Sequence, residues 1–150
     1  MAKTGLRRQL FDRLNSVSAT LDTPRGLVVM VPEQEIAAVT DRGTLSKHLA
    51  RVSEILASQP ALRIDVDGYS DAEGSQAPSL RRAREIHDML VDAGLDPHRI
   101  SVRGFGNARP LASNATANGR EQNRRVEIVI SGDEIGDLPL WDRTYSISRR

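Results

Sequence analysis

The chain has 150 residues, 39% of them hydrophobic and none of them cysteine, which supplies one core and is too little for two of ordinary size. Lysine and arginine number 21 against 20 acids, so the global field of a nucleic-acid or polybasic membrane-surface protein is absent and any anion binding must be local. The lack of cysteine excludes a disulfide scaffold, a thiolate zinc site and a cysteine nucleophile. The only aromatic residues, Phe11, Tyr69, Phe105, Trp141 and Tyr145, are too few for a base-stacking surface.

In chain order, Leu6, Leu10, Leu14 and Val17, with Phe11 beside them, form a helical stripe over residues 5–17. Residues 18–25, containing Pro24, read as a connector. The run Leu27–Val31, closed by Pro32, reads as a buried strand; it is also far shorter than the ~18 residues of a membrane helix, so no span is expected. Leu45, Leu49, Val52 and Leu56 predict an amphipathic helix over 45–58, capped by Thr44 or Ser46. Strict alternation in Leu62-Arg63-Ile64-Asp65-Val66-Asp67, ending at Gly68, predicts a strand with one face in the core.

A second amphipathic helix is predicted from about Pro78 to Ala93, with Leu80, Ala83, Ile86 and Leu90 inward and Gly94 as a left-handed cap. Residues 100–103 predict a third strand, 118–123 a short polar helix and 125–130 a fourth strand. Strands alternating with helices in this way imply an α+β, two-layer sandwich, with helices packed on one face of an about four-stranded mixed sheet. Beyond Ser131 the chain reads as a mobile tail.

No catalytic constellation is present. His48, His87 and His98 fall in different elements without metal-ligand spacing, no Ser elbow or H-E-x-x-H pair occurs, and Gly104-Phe105-Gly106 lacks the rest of a phosphate loop. No metal or cofactor is expected. A binding site is more promising: Gly68-Tyr69-Ser70-Asp71 puts a carboxylate at the carboxyl end of a strand beside a helix start, and Arg82 follows early in that helix. Together they can take a zwitterion, Asp71 receiving an ammonium and the Arg82 fork a carboxylate. Spacing alone favours an ordinary Asp–Arg pair on a solvated helix.

Residues 81–125 carry nine arginines against five acids, a pattern open to a nucleic-acid reading. Bracing of a helix-to-strand junction by Arg120 and Asn123, with Arg125 and Glu127 on the polar face of the strand, is the preferred reading, and no nucleic-acid partner is expected.

The ordered motifs Tyr69-Ser70-Asp71-x-x-Gly74, Ser79-Leu80-Arg81-Arg82-Ala83, Arg103-Gly104-Phe105-Gly106 with Pro110, and Asn114-x-Thr116-x-x-Gly119-Arg120-x-x-Asn123-Arg124-Arg125-Val126-Glu127-Ile128 closely resemble the OmpA-like C-terminal domain family. The resemblance implies three segments: an N-terminal helix and connector (1–24), a peptidoglycan-binding domain (25–132) and a tail (133–150). It implies a non-enzymatic module that binds the diaminopimelate residue of the peptidoglycan stem peptide and anchors the outer membrane or an envelope protein to the wall. Asp71 matches the aspartate that receives the ammonium and Arg82 the arginine that receives the carboxylate, with Ser70, Gly74, Asn123 and Arg124 as secondary candidates.

A periplasmic, outer-membrane-associated location follows from the resemblance, although residues 1–8 are not a secretory signal as they stand. Three departures stand out. Only Ser75-Gln76-Ala77-Pro78 separate Gly74 from Ser79, fewer residues than the family usually has, with Pro78 in place of a leucine. The stretch 33–39 lacks the family's aromatic, and Ser70 replaces the common threonine. A shortened rim leaves an alternative, an envelope assembly module that has lost wall binding and self-associates through the Leu6–Val17 helix.

Overall fold

The computed structural model describes residues 2–37, 42–71, 76–137 and 139–141. Gly74 and Ser75 of the shortened rim, the end of the 33–39 stretch, and the last nine residues lie outside them. The elements run α1 (Ala2–Asn15), β1 (Thr20–Thr23), β2 (Gly26–Pro32), α2 (Glu33–Ala37), α3 (Arg42–Ala57), β3 (Arg63–Tyr69), α4 (Gln76–Asp92), a 3-10 turn (Pro97–Arg99), β4 (Ile100–Gly104), α5 (Ala117–Asn123) and β5 (Arg125–Ser131). One sheet has the order β1-β2-β5-β3-β4. Only β3 and β4 are parallel, and α4 makes the crossover between them.

The sheet therefore has five strands rather than about four. The additional strand, β1, lies in the expected connector and pairs with β2 from Thr20↔Val29 to Thr23↔Gly26. Pro24 and Gly26 stand where a tight turn favours them, and Gly26, at φ 133°, approaches Ile130 so closely that a Cβ would stand 2.2 Å from its carbonyl oxygen. Four residues with Leu21 half exposed leave no alternation long enough to read. The short α2 was also not foreseen. In α4, Pro78 sits in the first turn, where its missing N–H costs nothing. Gly94, at φ 109°, ends that helix as expected, with Leu95 N donating to Leu90 O at 3.1 Å.

Alternate residues of the central strands, Val29 and Val31, Ile64 and Val66, Val126, Ile128 and Ile130, face the helices, where they meet Leu49, Val52 and Leu56 of α3 and Ala83, Ile86 and Leu90 of α4. Leu10 and Leu14 of α1 belong to the same core, with Leu6, Phe11 and Val17 packed against it. The Leu6–Val17 stripe, read from sequence as an alternative self-association surface, thus packs in large part within the chain's own fold.

Arg7, 0% exposed, ties α1 to both ends of the chain. It donates to Asp22 Oδ1 at 2.8 Å, Thr23 O at 2.6 Å, Ile135 O at 3.2 Å and Gly136 O at 2.7 Å. Ile135 is buried and Trp141 Nε1 donates to Asp22 O at 2.7 Å. The described part of the expected mobile tail is thus packed onto α1 and β1.

The other face of the sheet is polar yet largely closed. Asp67 accepts from Arg25 at 3.0 Å and from Arg103 at 3.0 and 3.2 Å, while Glu127 accepts from Arg25 at 3.2 Å and Arg125 at 2.8 Å. The Arg125 guanidinium lies 4.1 Å from the Tyr69 ring centroid, and Tyr69 stacks on Phe105 at 5.3 Å. Planar guanidiniums cover this face by stacking and forked pairing, which explains why β5 is buried on both sides despite its charges.

Candidate functional site

The site forms at one end of the sheet, and its composition follows from strand register. Pro32 pairs with Arg125, and Arg125 with Tyr69. One step beyond that row, where the three strands leave the sheet, come Glu33, Arg124 and Ser70-Asp71. Glu33 N donates to Arg124 O at 3.0 Å, fixing the start of α2 against the start of β5.

The fourth contributor, Arg82, comes from α4. That helix seats its first turns on the paired glycines Gly68 and Gly104. A Cβ on Gly68 would stand 1.9 Å from Ser79 O, and one on Gly104 2.9 Å from Leu80 N, so a side chain at either position would push α4 outward. Ser79 Oγ donates to Gln76 O at 2.8 Å and accepts from Gly106 N at 3.1 Å, locking the helix to the Gly104-Phe105-Gly106 turn.

Arg82 donates through Nη2 to Tyr69 O at 3.1 Å and Ser70 Oγ at 2.9 Å, and through Nη1 to Glu33 Oε1 at 3.3 Å; its Nε is buried without a partner among the described residues. Arg124 donates through Nε to Glu33 Oε2 at 2.8 Å and through Nη1 to Asp71 Oδ2 at 2.7 Å. The result is an alternating row, Asp71–Arg124–Glu33–Arg82. Side-chain exposures of 20, 32, 28 and 15% along it mean that each group is partly desolvated and still reachable from solvent. Partial burial works against the Arg124 charge, but its bonds to Asp71 and Glu33 and their negative charges outweigh that and raise its pKa. An open cavity of about 300 Å³ continues from the row, lined by Glu33, Ile36, Arg42, Arg82 and Glu85.

Asp71 and Arg82, the two residues singled out from sequence, stand at the two ends of this row, and no ion pair joins them directly among the described residues. Arg124, a secondary candidate, stands between Asp71 and Glu33. Ser70 is buried and uses its hydroxyl to orient Arg82. Asn123 is wholly buried: its Oδ1 accepts from Leu111 N and Ala112 N at 2.7 and 3.0 Å, and its Nδ2 donates to Ala112 O and Asn114 Oδ1 at 2.9 and 2.7 Å. With every polar function spent on the 111–114 loop, it braces the approach to Arg124. Gly74 lies outside the described residues.

Sequence reasoning missed Glu33, whose signal was available only as an acid directly after the strand-ending Pro32. No group of three metal-ligating side chains occurs among the described residues, none of their helices is long and apolar enough to cross a membrane, and none of the histidines lines the cleft. Chemically, two guanidiniums and two carboxylates held in alternation can exchange internal ion pairs for those of a ligand carrying one ammonium and one carboxylate, without change of net charge.

Comparison with known proteins places the fold. The peptidoglycan-binding protein ArfA of Mycobacterium bovis is 40% identical over 87 residues, 55% of this chain. The chain spans well under two thirds of the length of the first curated relatives it matches, 27% in the case of ArfA. Among solved structures, the cell wall anchor of the T6SS from Pseudomonas aeruginosa superposes with a TM-score of 0.66 at 28% identity, covering 87% of this chain and 99% of that one. A MotB-like protein from Desulfovibrio vulgaris shares the fold at a TM-score of 0.73 and 18% identity, covering 86% and 96% of the two chains. The sequence model of the OmpA family matches residues 40–124, which hold three of the four residues of the charged row, and the chain belongs to that family.

Proposed function

We propose that the chain is a non-enzymatic peptidoglycan-binding module that recognises the free zwitterionic end of diaminopimelate in the stem peptide. The observation that carries this reading is the partly exposed alternating Asp71–Arg124–Glu33–Arg82 row, whose Glu33 and Arg82 also line an open cavity. In it Asp71 takes the ligand ammonium and the Arg82 and Arg124 guanidiniums take the carboxylate, each contact being charge-assisted and partly shielded from water. The relatives support the ligand class, ArfA being a peptidoglycan-binding protein and the T6SS structure a cell wall anchor. A single site of this size binds weakly, and retention on the wall comes from many copies facing a polymer. The module then works in the periplasm, linking the outer membrane or an envelope protein to the wall.

The test is co-sedimentation with diaminopimelate-type sacculi, with lysine-type sacculi as control. The parent pellets with the former only, and Asp71→Ala and Arg82→Ala each remain in the supernatant. Equal pelleting of parent and both variants contradicts the site, and no pelleting of any form contradicts the function.

A further inference from the structure

Glu33 bridges the two guanidiniums to which the proposed function assigns the ligand carboxylate. Its two oxygens are divided between the guanidiniums of Arg82 and Arg124, at 3.3 and 2.8 Å. No other side-chain carboxylate bridges the two arginines among the described residues. Its backbone is pinned by the Glu33 N to Arg124 O bond, so the carboxylate is delivered at high effective concentration to the arginines, while the side chain, 28% exposed, keeps room to swing toward solvent. Arg82 Nε finds no partner among the described residues even with Glu33 in place, so Glu33 does not satisfy the site fully and a better-placed carboxylate can displace it.

We propose that Glu33 is a tethered competitor for the ligand carboxylate, which lowers the affinity of the site and sets its discrimination between charged and neutral ligand ends. The inference rests on the proposed binding of a zwitterion at Asp71, Arg82 and Arg124. In the free site Glu33 neutralises the arginines. An entering carboxylate must take them over and lie beside the displaced anion, and a neutral carboxamide suffers no such repulsion but takes less from the arginines. Replacing Glu33 by Gln preserves its volume and leaves one acceptor oxygen in place of two while removing the charge; Arg82 stays bonded to Tyr69 O and Ser70 Oγ and Arg124 to Asp71, so both arginines keep partners.

The experiment is calorimetric titration of the parent, Glu33→Gln, Asp71→Ala, and Glu33→Gln combined with Arg82→Ala. The two ligands are the tripeptide L-Ala-γ-D-Glu-meso-diaminopimelate and the same peptide amidated on the diaminopimelate carboxyl that shares its carbon with the free amino group. Glu33→Gln is expected to bind the acid about three- to thirty-fold more tightly than the parent. The amide gains less, so the acid-to-amide ratio widens, and Arg82→Ala removes the gain. Equal or weaker binding of the acid by Glu33→Gln overturns the proposal; a loss equal for acid and amide assigns Glu33 to the shared ammonium instead. If the parent binds and Asp71→Ala does not, the proposed function stands whatever Glu33 does. If no form binds either peptide, both readings fail.

Discussion

Arg124 Nη1 lies 2.7 Å from Asp71 Oδ2, across 53 positions of sequence. This contact, rather than a direct Asp71–Arg82 pair, connects the two halves of the cleft. Arg124 can reach Asp71 because β5 pairs antiparallel with β3 in the register Tyr69↔Arg125. Replacing Arg124 by Ala is expected to weaken tripeptide binding by about 1–3 kcal/mol, because one end of the ligand carboxylate is left unpaired. The unliganded fold loses only about 0.2–1 kcal/mol, the scale of partly exposed pairs. Titration calorimetry and urea denaturation of the same variant separate the two effects.

The placement of Arg82 depends on glycine. Gly68→Ala sets a methyl carbon 1.9 Å from Ser79 O, so α4 must shift or the strand must bend. The expected cost is about 1–3 kcal/mol of stability, together with loss of tripeptide binding as Arg82 moves. Gly5→Ala is the control: nothing lies within 4 Å of that Cβ, and removing a helical glycine stabilises by about 0.5–1 kcal/mol. Thermal melts of the two variants should move in opposite directions.

Arg7 is the largest fully buried side chain, and its ion pair with Asp22 has side-chain exposures of 0 and 6%. Arg7→Ala leaves that carboxylate and three carbonyls without their donor, and about 3–5 kcal/mol of stability should be lost. Arg7→Lys keeps the charge but not the fork, and should recover only part of it. Urea midpoints with unchanged slopes check both values.

Burial raises the pKa of Asp67 despite the opposing bonds and charges of Arg103 and Arg25. Because the folded state then holds the Asp67 proton more tightly than the unfolded chain, this group's contribution is fully present below the ordinary carboxylate value and is lost as pH rises through the raised one. Relative to Asp67→Asn, the parent should therefore gain stability on acidification through that window. Denaturation midpoints of both proteins measured from pH 3 to pH 7 test the sign; a relative loss on acidification contradicts it.

Much of this was legible in the order of residues, for definite reasons. The four-three-four spacing of Leu45, Leu49, Val52 and Leu56 can only place one stripe on a core, and the alternation in β3 marks its two faces. Asp71 and Arg82 flag themselves by their position beside a helix start. β1 escaped because four residues with an exposed Leu21 carry no periodic signal, and its strand character comes from pairing with β2. Arg7 looks like any helical arginine until Asp22 and the 135–136 carbonyls are folded around it. Glu33 enters the site through the register of three strands, and register is a property of pairing across the sheet that local pattern does not encode.

The most direct measurement is chemical-shift mapping of the isotopically labelled chain titrated with L-Ala-γ-D-Glu-meso-diaminopimelate, following backbone amides and arginine Nε–H groups. The account predicts saturable shifts at Ser70, Asp71, Arg82 and Arg124, with Arg25 and Arg103 on the opposite face of the sheet unchanged. Shifts confined to that opposite face, or none at all, would contradict it.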